Sequence, residues 1–188
     1  GAAAGHFPTT STSWNDPAST ILSDLLSWQQ LYIDDTGVAP GGMIFSKTIE
    51  SYMFLNTQMR QAAGWGGTTP ARLNRDAIRA ILDSNGLPSY MLYDTKVRVN
   101  GTQTRVIPAD KVIFVPPAGE KLGETFYGIT AEAIKLAGKG IIKAEAMPGI
   151  VCTVSESDHP VATYTNAVAL AMPVLPNPDL LICADVII

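Results

Sequence analysis

The closing stretch MPVLPNPDLLICADVII constrains this chain more than any other part of it. Pro173, Pro176 and Pro178 stiffen the approach, because each ring fixes φ and removes a backbone donor. A nearly continuous apolar run from Leu180 to Ile188 follows, broken only by Asp185. Such a run must be buried, so the C-terminal residues have to return to a core built elsewhere in the chain.

The rest of the composition can supply that core. The 188 residues are 46% hydrophobic, which is enough for one large domain or two small lobes and argues against disorder. A net charge of -4 excludes a broad basic face that wraps nucleic acid. Cys152 and Cys183 are the only cysteines, too few for a disulfide framework. Both are expected to be buried, reduced residues. No apolar run reaches the roughly 18 residues of a membrane-spanning helix. The opening GAAAGHFPTT has no basic n-region, so no secretory leader is expected, and it suits a tag remnant or a cut inside a longer protein.

Periodicity divides the chain into a helical part and a later strand-rich part. Residues 1–13 are small and hydroxylated, so a flexible lead-in is expected over 1–15, with order beginning near Trp14. Ile21, Leu22, Leu25, Trp28, Leu31 and Tyr32 recur at helical spacing, with Asp16 as cap, Pro17 in the first turn and Gly37 at the exit. This predicts a long spine helix over 17–35. TGVAPGGMIF is expected to be a loop. A second helix should begin after Ser46 and continue through Ile49, Tyr52, Met53 and Met59, and a third should span 74–85. Beyond Ser89 the period becomes two, and Asn100-Gly101 predicts a tight hairpin turn. Residues 112–115 suit a short strand, and a brief helix can begin at Thr130. Long strands are expected from residue 140 onward, with a turn at Asp158-His159-Pro160.

Few residues form a chemical site. His6 and His159 are the only imidazoles, so paired metal-ligand spacing is absent. Cys152 with Asp158 and His159 could make a thiol nucleophile and base, but an apolar GIVCTV stretch and ordinary turn chemistry explain these residues more simply. The glycines of GVAPGGMIF and GWGG lack the following Lys-Ser or Lys-Thr of a phosphate loop. Asp34-Asp35 and Glu120 with Glu124 fit surface charge better than an acid and base pair. Lys111, Lys121, Lys135, Lys139 and Lys143 fit a solvated surface better than a nucleic-acid track.

Three stretches, DTGVAPGGMIFS, VIPADKVIFVPPAGEKLGETFYGIT and ALAMPVLPNPDLLICADVI, resemble the lambda-like capsid protein E family of tailed-bacteriophage major capsid proteins. The resemblance implies an α+β protein of the Hong Kong 97-type fold. It implies a peripheral domain made of the spine helix, 16–37, with the late strands, 130–188, and an inserted mixed α/β axial domain, 38–129. It also implies a C-terminal fragment that lacks the family's N-terminal arm and extended loop and is expected to be monomeric alone. The implied role is structural: copies self-assemble into pentamers and hexamers of an icosahedral phage or prophage head enclosing DNA, assembled in the bacterial cytoplasm. Scaffold, portal and decoration proteins are the implied partners, with non-specific contact to packaged DNA and none to a membrane. No catalytic residue, cofactor or metal is expected. Loop chemistry nominates Trp65, Arg72, Glu120 and Lys121 as subunit contacts. The alternatives are an encapsulin-like nanocompartment shell, a small Cys152-dependent hydrolase, and a phage adhesion or tail protein.

Overall fold

The computed structural model describes residues 4–64, 72–138, 148–159 and 161–188. Its contacts divide the chain into one unit of residues 1–120 with 178–188, and a second of residues 121–177. The expected boundaries at 37/38 and 129/130 do not coincide with this division. Residues 38–120 share one core with the opening helix, and the inserted body is instead the strand-rich segment 121–177.

The first unit is a four-stranded sheet covered by helices. Its strands are β1 (Gly42–Phe45), β2 (Tyr90–Leu92), β5 (Lys111–Val115) and β9 (Ile182–Asp185), in the order β2-β1-β5-β9. The β1–β2 pair is parallel, and β5 runs antiparallel to both β1 and β9. The segment GMIF, expected as part of a loop, is thus an interior strand. Met43 and Phe45 alternate into the core, a pattern too short to stand out beside the glycines before it. Proline and glycine pack tightly here: a Cβ on Gly41 would lie 2.8 Å from the Pro116 carbonyl oxygen.

The helices are α1 (Ile21–Thr36), α2 (Lys47–Leu55), α3 (Thr57–Ala62) and α4 (Arg75–Ser84). Ser46 and Asn74 cap α2 and α4 through their side chains, as expected of residues that satisfy otherwise unpaired N–H groups. The run expected as one second helix is two, because Asn56 leaves the helical region with ψ 134° and caps α3 by accepting from Met59 N. The α1 helix begins four residues later than expected. Asp16 accepts from Ala18 N in a turn, and the Leu22 and Ser23 N–H groups are met by Gln58 Oε1 of α3. Gly37, at φ 74°, closes α1 as expected.

The C-terminal run enters this same core. Ile182, Ala184 and Val186 are buried with Leu22, Trp28 and Tyr32, and the Tyr32 hydroxyl donates to the Leu180 carbonyl at 3.2 Å. The lead-in is not a loose tail. Thr10 N donates to Asp185 O and Asp185 N to Pro8 O, both at 2.9 Å, so residues 8–10 cover the outer edge of β9. His6 is buried and donates from Nδ1 to the Leu181 carbonyl, with Nε2 3.1 Å from the Asp35 carboxylate. Trp14 is 1% exposed, stacks on Trp28 at 5.6 Å and donates its indole N–H to Asp24. The edge of β9 that the sheet leaves open offers these backbone partners, which composition alone does not reveal.

The hairpin β3 (Lys96–Val99) and β4 (Thr102–Arg105) stands as a separate two-stranded ribbon in this unit. Asn100 and Gly101 both have positive φ, 50° and 84°, which is the twist a two-residue hairpin turn requires.

The second unit contains β6 (Glu124–Gly128), α5 (Ala131–Gly138), β7 (Ile150–Asp158) and β8 (Val161–Val174), with the sheet order β6-β8-β7. Thr130 caps α5 by accepting from Ala133 N. The turn expected at Asp158-His159-Pro160 follows the last β7–β8 pair, Asp158 with Val161, and includes His159, while Pro160 lies outside the described residues.

Candidate functional site

A strand places alternate side chains on opposite faces, so the register of the second unit defines two surfaces. Phe126, Leu170 and Met172 share one face with Val151 and Val168. Val151 is buried there, whereas Phe126, Leu170 and Met172 are exposed. The opposite face carries Tyr127, Ala171, Ala169, Ile150, Cys152, Val154 and Val161. Every described strand residue on that second face is exposed, with Ile150 at 70% and Val161 at 91%. Within this unit the described buried residues are Thr130, Ala133 and Val151.

Such a sheet forfeits most of the roughly 1.5–3 kcal/mol that burial of each large apolar side chain can provide. This face, apolar at Tyr127, Ile150, Cys152, Val154 and Val161 and interrupted by Glu156, Asp158 and threonines, is a candidate interaction surface. Beyond Ala169, β8 is flanked by β6 alone, through pairs from Leu170 to Val174. Pro173 therefore sits where its missing donor breaks no ladder on the β7 side.

Of the loop residues expected as contacts, Arg72 and Glu120 belong to the first unit and Lys121, next to Glu120 in sequence, to the second. Arg72 is exposed, with its guanidinium 4.8 Å over the Phe54 ring of α2. Glu120 is exposed at the end of a turn closed by its N–H to the Pro117 carbonyl. Burial raises the pKa of Tyr32, and the negative charge of Glu120 adds to the effect. Lys121, in the second unit, is 81% exposed, with Nζ 3.5 Å from Glu124, and its carbonyl accepts from Asn177. Trp65 lies outside the described residues. Residues 139–147, which hold Lys139 and Lys143, also lie outside them.

Cys152 is exposed rather than buried, because strand alternation sets it on the uncovered face. Both cysteines are free. Burial raises the pKa of Cys183. Cys152 and His159 are seven positions apart along β7 and its turn, roughly 23 Å at the rise of an extended strand, so within one chain this imidazole is out of reach of that thiol. Among the described residues, no group of three or more His, Cys, Asp or Glu could hold a metal ion. No described helix is long and apolar enough to cross a membrane.

A buried polar cluster that sequence reasoning missed stiffens the first unit. Glu50 is 1% exposed and accepts two hydrogen bonds from Arg75, at 2.7 and 2.8 Å, and one from the Tyr90 hydroxyl at 2.9 Å. It ties α2 to α4 and β2. Glu50 falls on the same helical stripe as Met53, and that position was its only sequence signal. The Arg75 hydrogen bonds hold the Glu50 carboxyl below its usual range despite burial. Burial, then the bond to Glu50, pushes Tyr90 up to about 12.

Among solved structures, a phage-related protein of Bordetella bronchiseptica RB50 matches with TM-score 0.63 and 12% identity, over 98% of this chain and 56% of that one. A protein assigned as a prophage capsid protein in E. coli CFT073 matches with TM-score 0.63 and 14% identity, over 99% of this chain and 54% of that one. The holo-SrpI encapsulin of Synechococcus elongatus PCC 7942 aligns over 99% of this chain and 54% of that one, at 12% identity, but only with TM-score 0.39, too loose to weigh. The chain thus spans about half the length of the solved structures it matches. No curated protein matches it significantly. The α+β architecture is that of the phage capsid-type fold. The profile described as phage major capsid protein E matches residues 1–186, and on that match the chain belongs to the phage major capsid protein E family.

Proposed function

We propose that the whole protein carrying this chain is the major capsid subunit of a tailed phage or prophage, and that its copies close an icosahedral shell of pentamers and hexamers around DNA. The observation that carries this reading is the β6-β8-β7 sheet, whose face bearing Ile150, Val154 and Val161 is left uncovered in a single chain of a capsid family. Many identical copies can cover such faces by repeating contacts, which closed symmetry demands. The two units of residues 1–120 with 178–188 and 121–177 would supply the peripheral and axial parts. Arg72, Glu120 and Lys121 remain proposed subunit contacts, as does Trp65. Scaffold, portal and decoration proteins, packaged DNA, and assembly in the bacterial cytoplasm complete the proposal. The work is geometric and assigns no residue a catalytic step.

Electron microscopy of the full-length protein tests it. Closed shells that take up DNA support the reading. Particles that package only protein cargo would favour a nanocompartment, and tail-like fibres or monomers alone would overturn it.

A further inference from the structure

Two ribbons in this chain are each too small to be stable alone in water, and their charges are opposite. The first is the β3–β4 hairpin. Its register places Lys96 opposite Arg105 and Arg98 opposite Gln103, so these four side chains share one face. Arg105 is paired with Asp94, whereas Lys96 and Arg98 are exposed and have no carboxylate partner among the described residues.

The second ribbon is the distal half of β7–β8, from Val154↔Thr165 to Asp158↔Val161, beyond the reach of β6. Glu156 and Asp158 share a face there with Val154 and Val161. Both acids are exposed and lack a cationic partner among the described residues. Residues 148–188 contain no Lys or Arg at all, so the whole C-terminal stretch is acidic.

The spacing matches as well as the sign. Lys96 and Arg98 are two positions apart on one strand face, as are Glu156 and Asp158, which sets each pair of Cα atoms roughly 6.6 Å apart. Two like-charged acidic ribbons repel, so a symmetric contact between copies of the β7–β8 ribbon is disfavoured. A head-to-tail contact between different ribbons meets the charge requirement and generates rings.

We propose that the Lys96/Arg98 face of one copy docks on the Glu156/Asp158 face of a second copy, with the long basic side chains lying over Val154 and Val161. The contact rests on the shell reading above and names which surfaces meet. Each pair is a modest surface interaction, but repetition around a ring multiplies it.

The test is a charge swap in the full-length protein. Shell yield is measured by sedimentation and microscopy for Lys96→Glu with Arg98→Glu, for Glu156→Lys with Asp158→Lys, and for all four together. Each double reversal should lower the yield by about tenfold or more, and the quadruple variant should restore it to within about twofold. The milder pair Lys96→Gln with Arg98→Gln should fall between, and raising salt should lower the wild-type yield. Melting temperatures unchanged by the substitutions keep folding out of the comparison. Double reversals that assemble normally, or a quadruple variant that stays defective, overturn the contact while leaving the shell reading intact. A basic-face reversal that assembles fully but loses packaged DNA also overturns it, assigning that face to nucleic acid. Wild-type protein that forms no shells overturns both.

Discussion

Glu50 shows how a single residue can couple fold and pH. Its carboxylate is buried against a bidentate guanidinium and a phenol, so losing the charge leaves donors without their acceptor. Glu50→Gln is expected to cost about 1.5–3 kcal/mol near neutral pH, measured by urea unfolding. Because its folded pKa is lowered, the stabilisation is fully present above the unfolded value near pH 4.3 and is lost as pH falls through the lower folded value. The Gln variant should lack that component of acid sensitivity. Tyr90 acts at the other end of the scale. Its folded pKa is raised to about 12, so its contribution is present below about pH 10 and is lost as pH rises through the folded value. Tyr90→Phe should flatten that alkaline decline in a melting-temperature series. Trp14 carries the largest expected packing effect. It is fully buried against Trp28, and Trp14→Ala should cost about 3–5 kcal/mol in the same unfolding assay.

At the scale of elements, local chemistry explains the ends that were legible. Ser46, Asn74 and Gly37 cap helices because donors and carbonyls there need partners within a few residues. Asn100-Gly101 makes its hairpin for the same local reason. The start of α1 was not legible, because its first N–H groups are met by Gln58, distant in sequence. The interior strand β1 was hidden too: four residues beside glycines look like a loop until β2 and β5 pair on either side. Gly41 precedes that strand so closely against Pro116 and Pro117 that a methyl group would displace backbone. Gly41→Ala should therefore destabilise by about 1–3 kcal/mol, with the midpoint of thermal unfolding lowered accordingly.

At the scale of the whole molecule, the uncovered sheet separates what one chain can stabilise from what an assembly must. Amides of the distal β7–β8 ribbon should exchange with solvent rapidly in the isolated chain, because they lack a third strand and a buried face. In an assembled shell the same amides should slow by at least about tenfold; equal exchange in both states would place the ribbon outside any interface. Of the proposed contacts, Trp65, Arg72, Glu120 and Lys121 come from loop chemistry in the sequence, whereas the sheet face does not. Alternation is visible in β7 and β8, but how much of either face is covered depends on where α5 packs. The sequence by itself determined the helical stripes, the caps, the tight turn and the burial of the C-terminal run, since each follows from neighbours within a turn or a strand. Only the tertiary structure decided that residues 8–10 cover β9, that residues 121–177 form the second unit, and that Cys152 faces outward. Those outcomes depend on hydrogen bonds and packing between segments up to about 175 positions apart, and no local pattern of side chains records which distant edge or face will be left open.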